Sequence, residues 1–262
     1  MHTRTSTQKA SDGARTFVYR WRPGTDAEPA TTDPRGLVYV AHGMAEHAGR
    51  YARFAEALCD AGFAVFANDH RGHGQTAGPG DLGDFGPGGF ARVVADAREL
   101  IRAEAAAHPG LPVVLFGHSM GSFILQALLF EMSYEVAAAI LCGSNGKPPP
   151  LASAGRLIAR AERKRVGPRG FSPALAALSF DAFNKQFRPN RTEFDWLTRD
   201  AAEVDAYVAD PLCGFPCSTE LWIELLDALA ANASPAQQAL IRKDLPLYLI
   251  SGAQDPANDQ GQ

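Results

Sequence analysis

The stretch Val113-Val114-Leu115-Phe116-Gly117-His118-Ser119-Met120-Gly121 decides the fold. Its first four residues are apolar, which predicts a short strand that is buried on both faces of a sheet. Residues 122–132 are strongly apolar over the length of a helix. Between strand and helix, two glycines enclose a serine in the pattern Gly-x-Ser-x-Gly. This pattern predicts a sharp turn in which only small residues let the backbone pass close to its neighbours.

The alternation of strand and helix extends in both directions from this turn. Short apolar or alternating runs predict further strands, over residues 16–21, 37–41, 63–67, 137–142 and 245–250. The first of these ends at a Pro-Gly turn, and we interpret it as an edge strand. Apolar residues at helical spacing follow the second and third strands. This order predicts a doubly wound, mostly parallel sheet of the α/β class.

The strand signal stops after residue 145 and returns only near residue 245. Helical patches occupy the segment between, so we expect a helical cap inserted after the sixth strand, over residues 146–240. The rest of the chain is then a polar N-terminal tail (1–14) and two parts of one core (15–145 and 241–262). We expect the last strand and helix of the fold to be missing from the second part, as in a C-terminally truncated chain.

Composition limits the classes of function. The chain has 262 residues, of which 46% are hydrophobic and 21% are charged, and its net charge is −4. These values are ordinary for a globular protein and do not favour nucleic acid as a partner. The first residues lack the pattern of a signal peptide, and no apolar run is long enough for a transmembrane helix. With four scattered cysteines, the sequence predicts a reduced, cytoplasmic protein.

Motifs for metals and phosphates are absent from the sequence. Cys213-x3-Cys217 lacks the spacing and partner ligands of a zinc site, and no His-Glu-x2-His occurs. The chain also has no Gly-x4-Gly-Lys-Ser/Thr, which excludes a P-loop. We therefore predict neither a metal nor another cofactor.

Ser119 is the candidate nucleophile. In the α/β-hydrolase fold a strained strand-to-helix turn raises such a hydroxyl above the sheet, at the N-terminus of the next helix. There the helix dipole and free amides favour a developing negative charge. The alternative interpretation is a glycine-rich turn with an incidental serine.

A second marker, His42-Gly43-Met44, follows the strand over residues 37–41. In this fold that place supplies half of the oxyanion hole, so we expect the backbone amides of Met44 and Met120 to converge on the oxyanion. Gly43 and His118 are the candidates for contact with the substrate. The alternative interpretation of the marker is a plain strand-to-loop turn.

The candidate acid is Asp255, because the acid follows the nucleophile in this fold and Asp255 lies in a loop after the strand over residues 245–250. The loop after the preceding strand, 142–145, contains no carboxylate. The alternative interpretation is a structural Asp-Pro turn, since Pro256 comes next.

A general base is harder to find. In the order serine, acid, histidine, the base follows Asp255, but none of the seven histidines does: they are residues 2, 42, 47, 70, 73, 108 and 118. Three explanations stay open: a truncated chain, a binding protein on a hydrolase scaffold, or an upstream histidine that acts as base. As written, we expect the polypeptide to be a feeble catalyst at best.

Several motifs together resemble the monoacylglycerol lipase and lysophospholipase family of α/β hydrolases, in its bacterial branch. The matching stretches are His42-Gly43-Met44-Ala45-Glu46-His47, Asp69-His70-Arg71-Gly72-His73-Gly74, Gly117-His118-Ser119-Met120-Gly121, Phe194-Asp195-Trp196-Leu197-Thr198-Arg199-Asp200, Asp210-Pro211-Leu212-Cys213-Gly214-Phe215 and Gly252-Ala253-Gln254-Asp255-Pro256. The resemblance covers roughly residues 17–255. It implies a serine hydrolase that cleaves the ester of a lipid with one acyl chain and needs no cofactor.

Rival functions on the same fold are a non-lipid carboxylesterase, a peptidase, and an inactive binding protein. The predicted cap contains apolar residues that would cover an acyl chain or contact lipid aggregates and membranes: Leu157, Ile158, Phe171, Leu175, Leu178, Phe180 and Phe183. These residues are equally expected as the buried sides of cap helices. The sequence does not indicate an oligomeric state.

Overall fold

A seven-stranded sheet forms the centre of the protein. The computed structural model describes residues 1–24, 33–146 and 150–256. The strands lie in the order β1-β2-β4-β3-β5-β6-β7, antiparallel from β1 to β4 and parallel from β4 to β7. The strands are β1 (His2–Lys9), β2 (Arg15–Arg22), β3 (Leu37–Ala41), β4 (Ala64–Asn68), β5 (Val113–His118), β6 (Ala138–Cys142) and β7 (Leu247–Ile250). The prediction of a doubly wound, mostly parallel sheet is confirmed.

Helices cover both faces of this sheet. They are α1 (Ala52–Asp60), α2 (Gly89–Ala107), α3 (Met120–Met132), α4 (Pro150–Val166), α5 (Pro173–Leu178), α6 (Phe180–Lys185), α7 (Ala201–Ala209), α8 (Thr219–Asn232) and α9 (Pro235–Gln238), with 3-10 turns at Ala48–Tyr51 and Gly74–Thr76. Every residue of β3 and β4 is buried. Along β3, Val38 and Val40 face α1, whereas Tyr39 joins α2 and α3 in the larger core on the other face.

The first fourteen residues are not simply a tail, which corrects the prediction for residues 1–14. His2–Lys9 form β1, which pairs along its whole length with β2, for example Ser6 opposite Val18. Nearly all residues of β1 are exposed, and polar side chains occupy both of its faces. Its sequence therefore shows no alternation of apolar and polar residues. The prediction that residues 16–21 form an edge strand is therefore wrong. β2 lies inside the sheet, and β1, with its charged side chains, forms the edge.

Between β6 and β7 the described chain forms helices α4 to α9. Residues 147–149, where the sequence predicts the start of this segment, lie outside the described residues. Ala159, Leu175 and Ile223 join α4, α5 and α8 in a small cluster of their own. Leu221 and Leu225 of α8, by contrast, belong to the main core. The helical segment is thus anchored to the sheet domain through α8.

Among the described residues, the strand at the other edge of the sheet is β7, which pairs in parallel with β6. The side chains of β7 are exposed, from 44% for Ile250 to 69% for Leu249. This edge is therefore apolar where the β1 edge is polar.

Three buried histidines fill the space beneath the loops that follow β3 and β4. The rings of His42 and His70 pack with their centroids 4.0 Å apart and their planes tilted by 30°, and the His73 ring lies 5.3 Å from that of His42. His42 donates from Nδ1 to the Gly43 carbonyl and accepts at Nε2 from the His70 amide, at 2.8 and 3.0 Å. Burial lowers the pKa of His42 to about 3 and that of His73 to about 4, and it lowers the pKa of His70 well below its ordinary value.

This cluster makes the stability of the protein depend on pH. An unfolded histidine titrates near pH 6.5, so on acidification the unfolded chain binds protons that the folded protein does not. The stability contributed by the neutral rings is complete above that pH and is lost as the pH falls towards 4. Three protons give a slope of up to about 4 kcal/mol per pH unit. Urea unfolding measured between pH 7.5 and 4.5 should show this slope. The variant His70→Leu should reduce it by about a third, and an unchanged slope would contradict the assignment.

Leu128 provides a test of the core. Its side chain is fully buried within α3. We expect Leu128→Ala to lower the free energy of unfolding by about 2–5 kcal/mol, measured by urea denaturation. Leu157→Ala removes the same atoms from a side chain that is 68% exposed, and it should change that free energy by less than about 0.5 kcal/mol. Equal effects of the two substitutions would show that α3 is not the centre of the core.

Candidate active site

Ser119 lies at the turn between β5 and α3, in a strained backbone conformation. Its φ and ψ angles are 51° and −120°, and it is one of two non-glycine residues with positive φ among the described residues. Such strain persists only where surrounding contacts hold it. Here the Ser119 amide donates to the Cys142 carbonyl at 2.9 Å, and its carbonyl accepts from the amide and hydroxyl of Ser122 at 2.8 and 2.6 Å. The structure thus has the sharp turn that the sequence predicts.

The two glycines of the pattern are required by close contacts. A β-carbon on Gly117 would lie 2.7 Å from the Gly121 carbonyl oxygen. A β-carbon on Gly121 would lie 2.1 Å from the carbonyl oxygen of Ala41 and 2.7 Å from that of His42. No side chain fits at these distances. The first turn of α3 is therefore pressed against the end of β3.

This contact brings the two predicted oxyanion segments together. Met120 is the first residue of α3 and is buried, and Met44 lies in the loop that leaves β3 through His42. A β-carbon on Gly43 would lie 3.2 Å from Nδ1 of His118, so this loop also lies beside the serine turn. Met44, Gly43, His118 and Met120 thus lie in adjacent segments at the carboxyl ends of β3 and β5.

A buried carboxylate, which sequence reasoning did not single out, organises this loop. Oε1 of Glu46 accepts from the Gly43 amide at 2.6 Å and from the Tyr51 hydroxyl at 2.9 Å, and it lies 3.3 Å from Nδ1 of His118. Its other oxygen accepts from Arg50. Burial by itself would raise the pKa of Glu46, but His118 and Arg50 hold it well below its usual range. The available signal was an acidic residue three positions after the loop glycine.

The helical segment between β6 and β7 holds the same loop from the other side. The carbonyl oxygen of Ala45, whose φ is 56°, accepts from the Tyr207 hydroxyl at 2.7 Å and from the Gly214 amide at 2.9 Å. The guanidinium of Arg50 lies 4.9 Å from the centre of the Tyr207 ring. No local pattern could have revealed these contacts, because Tyr207 and Ala45 are separated by 162 positions.

Asp255 reaches the same edge of the sheet. It follows β7, and its amide donates to the Gly252 carbonyl at 3.0 Å. A β-carbon on Gly143, which follows β6, would lie 3.5 Å from Oδ2 of Asp255 and 3.8 Å from Nε2 of His118. The carboxylate of Asp255 therefore lies beside Gly143 and near His118, at the same edge of the sheet as the serine turn.

Five of the described histidines have contacts other than those expected of a base that takes a proton from Ser119. His42, His70 and His73 form the buried cluster, and His47 contacts Asp210. His118 turns its Nδ1 towards Glu46. An assignment of the general base to one of them is not supported by these contacts.

Known proteins share both the sequence and the fold. A family model described as serine aminopeptidase, S33, matches residues 32–262. Monoacylglycerol lipase from Mycolicibacterium smegmatis is 34% identical over 97% of this chain and 80% of its own length. Human monoglyceride lipase is 30% identical over 94% of this chain and 71% of its own length.

Solved structures agree with this match. A highly thermostable carboxyl esterase from Bacillus coagulans superposes with a TM-score of 0.87 at 26% identity, covering 100% of this chain and 83% of its own. A soluble variant of monoglyceride lipase from Saccharomyces cerevisiae superposes with a TM-score of 0.76 over 99% of this chain and 80% of its own, at 21% identity, and supports the fold. The α/β-hydrolase fold is confirmed. The chain therefore belongs to the monoacylglycerol lipase-like family of α/β hydrolases, within the group that the serine aminopeptidase S33 model describes.

Proposed function

We propose that this protein is a serine hydrolase that cleaves the ester bond of lipids with one acyl chain, and that Ser119 is its nucleophile. One observation carries the proposal: the strained serine turn, with φ of 51° at Ser119, lies in a chain that is 34% identical over 97% of its length to a monoacylglycerol lipase. A monoacylglycerol or a lysophospholipid is the substrate class, and the reaction needs no cofactor.

In the proposed reaction, Oγ of Ser119 attacks the ester carbonyl while its proton passes to a histidine base. The backbone amides of Met44 and Met120 donate to the oxyanion, and losing one such donor typically costs about a hundred- to a thousandfold in turnover. Collapse of the tetrahedral intermediate releases the alcohol, which takes the proton from the base. Water then hydrolyses the acyl-enzyme by the same route. Asp255 would orient the base and stabilise its charged form.

The base is not assigned among the seven histidines of the sequence, since none follows Asp255. An exogenous imidazole supplies the same chemistry, because its neutral form accepts a proton near neutral pH. Tests of Ser119 are therefore best made with and without added imidazole.

The relatives favour a lipid ester over the rival substrates. The two relatives named above are lipases of monoacylglycerols by name, although the family model is described as a serine aminopeptidase. The carboxyl esterase from Bacillus coagulans superposes with a TM-score of 0.87, so a non-lipid ester is the second candidate substrate. An inactive binding protein is less favoured, because such a protein has no need of backbone strain at the serine.

Apolar side chains on the helical segment support contact with lipid. Leu157, Phe171 and Leu178 are exposed by 68%, 49% and 51%, whereas Leu175 is buried. Phe180 and Phe183 pack with Trp196 instead. The apolar residues predicted for the cap thus differ in exposure: Leu175 is buried, Ile158, Phe180 and Phe183 are partly buried, and the other three form an exposed set. We propose that the exposed set touches lipid aggregates; within the described residues no helix is long and apolar enough to cross a bilayer.

The nucleophile is tested with a fluorophosphonate probe, which labels activated serines. We expect one labelled residue, Ser119, and no labelling of Ser119→Ala. Added imidazole should accelerate the labelling of the unmodified chain. The control variant Ser6→Ala, exposed on β1, should label as the unmodified chain does. Labelling that persists in Ser119→Ala would contradict the assignment.

The substrate class is tested by comparing a monoacylglycerol, a short nitrophenyl ester and an aminoacyl anilide at equal concentration. In the presence of imidazole, release of fatty acid from the monoacylglycerol should exceed cleavage of the anilide by at least an order of magnitude. Ser119→Ala should lose all three activities. Faster cleavage of the anilide would favour the peptidase, and a preference for the short ester would favour the non-lipid carboxylesterase.

A further inference from the structure

We propose that His47, Asp210 and Cys213 form a binding site for a divalent transition metal of the zinc type, which joins the loop after β3 to the cap. Their imidazole nitrogen, carboxylate oxygen and thiol sulfur all lie within 4.8 Å of one another. The sequence pointed away from a metal, because Cys213-x3-Cys217 is no zinc motif. The fold instead places Cys213 beside two other possible ligands: Asp210, three positions earlier, and His47, from the loop after β3.

The carboxylate of this site is held in place by its own backbone. Asp210 caps the C-terminal end of α7, and its Oδ1 accepts from the Leu212 amide at 2.8 Å. The Cys213 amide donates to the Asp210 carbonyl at 3.0 Å, which fixes the turn that carries the thiol. Oδ2 of Asp210 faces Nε2 of His47 at 2.9 Å. Two of the three donors therefore belong to one short, ordered turn.

The imidazole is held just as closely. His47 precedes the 3-10 turn Ala48–Tyr51, and its side chain is only 12% exposed. A β-carbon on Gly49 would lie 3.0 Å from Nδ1 and Cε1 of its ring, and one on Gly74 would lie 2.8 Å from its β-carbon. The absence of side chains at Gly49 and Gly74 therefore provides the space for the His47 side chain. The Nδ1 atom is buried and has no hydrogen-bond partner among the described residues.

The donor set selects the class of metal. Nitrogen, oxygen and sulfur together suit zinc, which binds these atoms at about 2.0–2.3 Å, whereas calcium and magnesium require cages of oxygen ligands. Ligand atoms bound at these distances in a tetrahedron lie about 3.3–3.8 Å from one another. The three atoms here lie within 4.8 Å of one another, so side-chain shifts of about 1 Å would complete the site. Three protein ligands leave a fourth position of a tetrahedron for water.

Charge also fits a divalent ion. On binding, the sulfur–metal bond forms as the thiol proton leaves for the solvent, so a thiolate and a carboxylate together balance two positive charges. The guanidinium of Arg50 lies nearby, but it forms an ion pair with Glu46. This pairing reduces its repulsion of a bound cation. The site would be neutral in its partly buried setting, as buried ions require.

A bound metal would add to a contact that already exists. The same turn of the cap donates from Gly214 to Ala45, two residues before His47. The metal would therefore fix the cap on the loop that carries Met44. This role is independent of whether Ser119 reacts, so the site is tested by binding alone.

The test is calorimetric titration of Zn²⁺ into the reduced, chelator-treated protein. We expect one equivalent to bind, with at least about tenfold weaker binding in each of Cys213→Ser, His47→Gln and Asp210→Asn. Cys217→Ser is the matched control, since this buried thiol is four positions away and outside the cluster, and it should bind as the unmodified protein does. A millimolar excess of Mg²⁺ should not compete. Binding that all three variants retain, or no binding at all, would overturn the proposal.

Two further measurements keep the test decisive if a variant fails to fold. Co²⁺ bound to the unmodified protein should show the absorption of sulfur-to-cobalt charge transfer, and its absence would exclude Cys213 as a ligand. Zn²⁺ should also raise the thermal unfolding midpoint of the unmodified protein and of Cys217→Ser, but not that of Cys213→Ser. Equal shifts in all three would place the metal elsewhere.

Discussion

The close approach of α3 to the end of β3 is the contact on which the candidate site depends. At Gly121 the backbone of the helix comes so near to β3 that a β-carbon would lie 2.1 Å from the carbonyl oxygen of Ala41. This approach places the first turn of α3 beside the loop of His42 and Met44. It also forces the serine turn to be tight, because β5 enters and α3 leaves within a few residues. Strain at Ser119 and alignment of the two amide-bearing segments are thus two results of one packing contact.

The loop after β3 is determined by two independent sets of contacts. Within the sheet domain, the carboxylate of Glu46 accepts hydrogen bonds from the Gly43 amide and the Tyr51 hydroxyl. These bonds fix the loop to the residues that follow it. From the helical segment between β6 and β7, the Tyr207 hydroxyl and the Gly214 amide donate to the carbonyl oxygen of Ala45. A backbone held from both sides loses little entropy when it binds a charge, as the proposed oxyanion role of Met44 requires. The helical segment between β6 and β7 is in this sense a structural part of the candidate site.

What the sequence revealed depended on the range of the interactions. Buried parallel strands and the serine turn are visible because each is encoded within about ten neighbouring residues, as in residues 113–121. β1 was missed because a strand with both faces exposed has no apolar alternation, so its pairing with β2 leaves no local trace. The same reason hides Tyr207, whose partner Ala45 is 162 positions away. Glu46 lies within the motif at residues 42–47, but its role in holding the Gly43 amide is seen only in the folded structure, where the carboxylate is buried.

The double hydrogen bond to Ala45 has a consequence for exchanging caps between members of the family. Tyr207 and Gly214 donate to the same oxygen, at 2.7 and 2.9 Å, so both ends of the segment between them meet at a single carbonyl group. A grafted segment that replaces either residue has to rebuild both hydrogen bonds at that oxygen. A chimera that takes helices of this segment from another member of the family therefore has to join the grafted segment upstream of Tyr207 or downstream of Gly214. The recipient then keeps its own turn, and the grafted part can vary freely in length.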